Sequence, residues 1–157
     1  MSGRRGFTLI ELAVTLALVG LLAYVSVPLY EATTTRLREA ELRAALREIR
    51  NAIDAYKAAA DAGVIPKGAG ESGYPPSLEI LVQGVEAQRD AAGRRLVFLR
   101  RLPRDPFCPD PAAPPARHWA TRSHASPPDD PQPGPDVFDV ASRSPRIGSN
   151  GVPYREW

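Results

Sequence analysis

Residues Phe7 to Tyr30 read FTLIELAVTLALVGLLAYVSVPLY, and this stretch decides the architecture of the chain. As a helix its roughly 24 residues extend about 36 Å at 1.5 Å per residue, enough to cross a bilayer core of about 30 Å. One formal charge interrupts the run, at Glu11. A carboxylate at membrane depth costs about 2.5–3.5 kcal/mol on insertion scales, so a residue kept there needs a cationic partner and a purpose. Pro28 lacks an N–H and crowds the preceding turn, which predicts a bend or local melting of the helix at that point.

Upstream lie Arg4, Arg5 and Gly6. Three readings compete for such a start. A secretory signal peptide also has a basic beginning and an apolar centre, but the apolar stretch here is long, contains Glu11 and shows no clear A-x-A site before Pro28. A plain signal anchor explains the length and leaves Glu11 without a purpose. The third reading rests on Arg4-Arg5-Gly6-Phe7-Thr8-Leu9-Ile10-Glu11, which strongly resembles the processing site of the type IV pilin and pseudopilin superfamily. The resemblance implies that a prepilin peptidase removes leader residues 1–6 by cutting between Gly6 and Phe7 and methylates the new amino terminus. Glu11 then stands fifth in the mature chain, and Gly20 and Pro28 fall where such proteins often carry a glycine and a helix-bending proline. A glycine before the cleaved bond gives the peptidase an unobstructed backbone. In an assembled filament the Glu11 carboxylate would neutralise the Phe7 amine of an adjoining subunit, because isolated charges in apolar surroundings are costly.

Beyond Pro28, Glu31 to Ala60 is rich in good helix formers. Leu42, Leu46, Ile49, Ile53 and Tyr56 recur at helical spacing and form one apolar stripe. Arg38, Glu41, Arg43, Arg47, Glu48, Arg50 and Asp54 are expected to make a solvated opposite face. A single long helix therefore has an apolar first half, residues 7–30, and an amphipathic second half that serves as the spine of a globular domain, residues 31–157. The helix should end at Asp61-Ala62-Gly63, with glycine as the C-cap.

The rest predicts short elements. Gly63 to Gly73 reads as a loop, and Ser77 is a candidate N-cap for a short helix through Val82. Leu96 to Leu99 fits a strand or a buried turn. Leu102 to Pro135, dominated by proline and aspartate, reads as irregular and largely exposed, with a Pro-rich loop over about 103–136. Val137 to Val140 is the best strand candidate, and Arg143 to Pro153 suits a hairpin or closing loop. The expected fold class is α+β, the long helix packing on a small C-terminal antiparallel sheet. Tyr74-Pro75, then Leu99-Arg100-Arg101-Leu102-Pro103-Arg104-Asp105-Pro106-Phe107, and the ending Val137-Phe138-Asp139-Val140 through Tyr154-Arg155-Glu156-Trp157 resemble the major pseudopilin of type II secretion systems. The insert from Cys108 to Pro135 departs from that resemblance.

Those pseudopilins hold a calcium ion in the C-terminal loop. Calcium takes six to eight oxygen ligands and draws most affinity from carboxylates. The comparable loop here offers Asp139 and Glu156 as acids, with Ser142, Ser144 and Ser149 as uncharged donors, and Arg146 and Asn150 stand where related sequences tend to be acidic. The expectation is ordinary turn chemistry without a cofactor, with Asp139, Ser142, Ser144, Asn150 and Glu156 as the weak calcium candidates. Asp129, Asp130 and Asp136 would contribute only if the Pro-rich loop folds back.

Other functions have little to rest on. The chain carries a net charge of +2, all of it due to Arg4 and Arg5, so nucleic acid is not an expected partner. No phosphate loop, paired metal-ligand spacing or nucleophile elbow occurs. Cys108 is the only cysteine and excludes an intramolecular disulfide. His118 and His124 are expected to be exposed loop residues, and the chain is not expected to be an enzyme. The resemblance implies a homo-oligomeric pseudopilus subunit, anchored by one pass in a bacterial inner membrane with its domain in the periplasm. Its partners would be minor pseudopilins, the prepilin peptidase and a platform protein, with energy supplied by a separate ATPase. The alternatives are a type IV pilus subunit and a membrane-anchored periplasmic binding module that never polymerises.

Overall fold

A computed structural model of the chain describes residues 8–88 and 93–157. By itself the described part from Leu9 to Leu37 is one helical stretch, and the compact unit comprises Arg38–Trp157. Helix α1 runs Leu9–Asp61, 53 residues, and continues through Pro28 in helical conformation, so the local melting anticipated there does not occur. The first turn is capped as its sequence dictates: the Glu11 amide donates to Thr8 Oγ1 at 3.2 Å. This is half of the reciprocal arrangement that a Thr-x-x-Glu start favours. At the other end the amide of Gly63, at φ +64°, donates to Ala60 O, and the amide of Val64 donates to Ala59 O. The crossed pair is a Schellman closure, and it needs a left-handed residue that glycine supplies without strain.

Within the compact unit the predicted stripe is the floor of the core. Leu42, Ile49 and Ile53 are fully buried, with Leu46 and Tyr56 nearly so. Ala45, Ala52 and Ala60 fill the same face, small enough to let the other elements approach. Against this face gather Ile65, Leu78, Leu81, Leu99, Phe107, Trp119, Val137, Val140 and Tyr154. Side chains of this size contribute about 1.5–3 kcal/mol each on full burial, which makes the stripe the main source of the unit's stability.

Short elements close the other side. Helix α2, Leu78–Gln83, begins at Ser77, which has extended backbone geometry but makes no side-chain capping bond. Strands β1 (Val85–Glu86) and β2 (Arg95–Leu96) pair antiparallel, with Val85 opposite Leu96. After β2 the chain turns inward: Phe98 and Leu99 amides both donate to Leu81 O, and Leu99 is buried. The run Leu96–Leu99 is thus the end of a strand followed by a buried turn.

The largest correction concerns the Pro-rich region. A 3-10 turn, η1, spans Pro115–His118, and strand β3 follows at Trp119–Arg122. Strand β3 pairs antiparallel with β4, Asp139–Ser142, in the register Trp119 opposite Ser142 and Arg122 opposite Asp139. Trp119 is fully buried and its indole N–H donates to Pro103 O at 3.0 Å. His118 is buried as well, not exposed as expected: its Nδ1 accepts from the Asp105 amide and its Nε2 lies 3.0 Å from Ala113 O. The prolines around this strand mask its short alternation. The strand expected at Val137–Val140 begins two residues later, because the Val137 amide is committed to Pro75 O and Phe138 to Arg122 O. The two two-stranded ladders and the long helix make an α+β fold.

The end of the chain forms the closing loop that its turn residues anticipate. Ile147 bridges to Pro153, the Gly148 amide donates to Val152 O, and Gly151 takes φ +80° at the turn. Gly148 is required on space alone, since a Cβ there would stand 2.4 Å from Trp157 Cζ2. The last short 3-10 turn, η2, spans Tyr154–Glu156.

Candidate functional site: the amino-terminal helix and its anchored domain

The first half of α1 is apolar on every face. Leu9, Ile10, Leu12, Val14, Leu16, Leu18, Val19, Leu21, Leu22, Tyr24, Val27, Leu29 and Tyr30 are all exposed. A soluble surface helix would carry a polar face, and this one carries only Glu11, Thr15 and Ser26 scattered among apolar side chains, so its natural surroundings are lipid or other apolar helices. The helix is long and apolar enough to cross a membrane, with a mean hydropathy of 2.2 over its most apolar window. Thr15, Ser26, Thr33 and Thr34 return their hydroxyls to carbonyls three or four residues back, which removes their donors from an apolar environment.

Glu11 is the exception on this surface. Its main-chain amide is capped by Thr8, while its carboxylate has no hydrogen bond or ion pair among the described residues. The group therefore stands ready for a partner from outside its own helix. Gly6 and Phe7, the two residues of the expected cleavage site, lie outside the described residues, as does the rest of the leader.

A second cluster, which sequence reading missed, ties α1 to the closing loop. Glu39 is 2% exposed and occurs three residues before Leu42, on the buried stripe rather than the solvated face. The Ser149 amide donates to Oε1 at 2.6 Å, the Ser149 hydroxyl to Oε2 at 2.5 Å, and the Tyr154 hydroxyl to Oε1 at 3.1 Å. Burial pushes the Glu39 carboxyl up, but these donors outweigh it, with Arg43 adding to them, and hold it below the usual carboxylate range. The same burial, together with the Glu39 charge, raises the Tyr154 hydroxyl. Tyr154 also stacks on Phe107 at 4.3 Å between centroids and meets Trp157 edge-on at 4.8 Å. The Arg146 and Arg43 guanidinium groups close the two ends of this aromatic row, over Phe107 and Trp157 respectively. An acid on an apolar stripe was the available signal for this cluster.

Of the calcium candidates, Asp139 and Glu156 line one open cleft with Asp129 and Asp130, which also holds Arg50, Arg122 and Arg155, while Ser142, Ser144 and Asn150 lie outside it. Asp139 Oδ1 accepts from Arg50 Nε at 2.8 Å and from the Val140 amide at 2.7 Å. Ser142 donates its hydroxyl to buried Asp105, and Ser144 Oγ accepts from the Arg146 amide. Asn150 Oδ1 accepts from Val152, and Glu156 lies 3.7 Å from Arg155. Each of these side chains is engaged through one oxygen within the protein, and Arg50, expected on the solvated face, reaches across to Asp139. Asp136, the third acid of the folded-back alternative, is held by Ser72, Ser123 and the His124 amide. Burial raises its carboxyl and these three donors more than offset it, so it too sits below the usual range. Among the described residues no group of three or more His, Cys, Asp or Glu side chains is placed to hold a metal ion. The residues present do not fit a calcium site in that loop.

Little else is arranged for chemistry. A cleft of about 500 Å³ is lined by Tyr56, Tyr74, Ser123, His124 and Asp136, but both serines near Asp136 already donate to it. His124 is exposed, as expected, and packs near Tyr74 and Phe138. Cys108 is half-buried and its thiol donates to Asp110 O.

Compared with known proteins, residues 1–23 match the family model described as the prokaryotic N-terminal methylation motif. No curated protein and no solved structure matches the chain.

Proposed function

We propose that this chain is a type IV pilin-like filament subunit, made as a precursor and processed between Gly6 and Phe7. The observation that carries the reading is the methylation motif over residues 1–23, overlapping an apolar helical half whose one acid, Glu11, has no partner among the described residues. Before assembly the helix anchors the chain in the inner membrane by a single pass, with the compact unit in the periplasm. In the filament the apolar half packs among copies of itself. Glu11 then meets the Phe7 amine of a neighbour, and a wrongly staggered neighbour leaves both charges unpaired. The chain acts without chemistry of its own and without a cofactor.

Within that superfamily the reading closest to the sequence is the major pseudopilin of a type II secretion system. The stretch Leu99–Phe107 and the ending Val137–Trp157 support it, and so does the lone Cys108, since many adhesive pilins staple their C-terminal region with a disulfide. Minor pseudopilins, the prepilin peptidase and a platform protein are the partners this reading requires. A type IV pilus subunit is the second reading, supported equally by the methylation motif.

Glu11 tests assembly. Glu11→Ala and Glu11→Leu are expected to insert and to be cleaved normally while filaments fail or deform. Processing must be followed in the same strain, since an uncleaved precursor would also fail to assemble. A variant that is cleaved, inserted and still builds normal filaments would eliminate the pairing mechanism.

A further inference from the structure

Three oxygens from separate parts of the compact unit converge on one side chain, Arg50. Its Nε donates to Asp139 Oδ1 at 2.8 Å. Its Nη2 donates to Trp157 O at 2.7 Å and to Val140 O at 3.1 Å. A carboxylate, the Val140 carbonyl and a main-chain oxygen of Trp157, all bonded to one guanidinium, include the kinds of oxygen that hard cations take. Val140 is buried and its carbonyl needs a donor, because an unpaired buried acceptor is costly. Asp129, Asp130 and Glu156 line the same open cleft, of about 1020 Å³, so that its acids outnumber what the loop alone supplies.

We propose that Arg50 is a resident cation, a guanidinium that closes a cation site and joins α1, β4 and η2 without metal. The arrangement differs from the loop calcium that resemblance to the major pseudopilins implies, and it is independent of the filament reading. A guanidinium stays protonated at any physiological pH, and its planar fork presents several donors in fixed directions. The junction is therefore formed whatever the supply of divalent ions. A shorter side chain at this position would leave Asp139 and the two main-chain oxygens facing one another across an empty space. That space would then take a cation from solution.

The test is the thermal midpoint of the full-length chain in detergent micelles, with millimolar calcium or with chelator. Wild type is expected to melt at the same temperature in both. Arg50→Ala is expected to lose about 2–4 °C or more in chelator. Calcium should restore at least half of the loss, and the added change Asp139→Asn should remove that response. Arg50→Gln, which keeps some donors and most of the stem, should show the same response if the alanine variant folds poorly. A wild-type midpoint that rises with calcium as far as the variants' would show an open metal site and overturn the proposal. Folded Arg50 variants indifferent to calcium would overturn it equally, leaving Arg50 as a common ion pair.

Discussion

Ser149 grips Glu39 twice, by its amide and by its hydroxyl, across 110 residues of sequence. This relationship fixes the closing loop to the buried face of helix α1. A disturbance of the loop is therefore felt by the spine of the domain.

Acid stability should report the contact. The folded Glu39 carboxyl lies below its ordinary value, so the stabilisation it gives is fully present above about pH 4.3 and is lost as pH falls through the depressed folded value. Asp136 acts in the same direction over the same range. Glu39→Gln can satisfy only some of the three donors, and should cost about 1.5–3 kcal/mol at neutral pH. The gap between variant and wild type should narrow below about pH 4, leaving the Asp136 contribution in both. Urea midpoints across pH 3–7 would check this, and a gap independent of pH would contradict the assigned role.

The stripe on α1 should respond to a single truncation. Ile49 is fully buried, and Ile49→Ala should cost about 2–5 kcal/mol from lost transfer energy and the cavity left behind. A change within about 0.5 kcal/mol in a denaturant titration would place the residue at the surface.

The helix and its two regimes were legible in the sequence because periodicity and composition act locally. Leu42 to Tyr56 had to share a face, and Gly63 had to end the helix, whatever packed against them. The remainder depended on pairing between distant segments. Strand β3 hides among prolines, and Trp119 becomes a core residue only when Asp139–Ser142 arrives beside it. His118 is buried by the same event. Arg50 has an ordinary helical sequence context, and Glu39 is marked only as an acid on the apolar stripe; their partners appear only when β4 supplies Asp139 and the closing loop supplies Ser149 and Tyr154. The methylation motif over residues 1–23 was legible for another reason: it is a linear signal, recognisable with no need of a folded partner.

The central claim, that the chain is a processed pilin-like subunit, is tested most directly at its amino terminus. Intact-mass spectrometry of the membrane-extracted protein, from cells with an active prepilin peptidase, reads the outcome without any functional assay. The account predicts a chain that has lost its first six residues, as expected for cleavage after Gly6, and gained one methyl group on Phe7. A full-length chain retaining Met1 in those cells would contradict it.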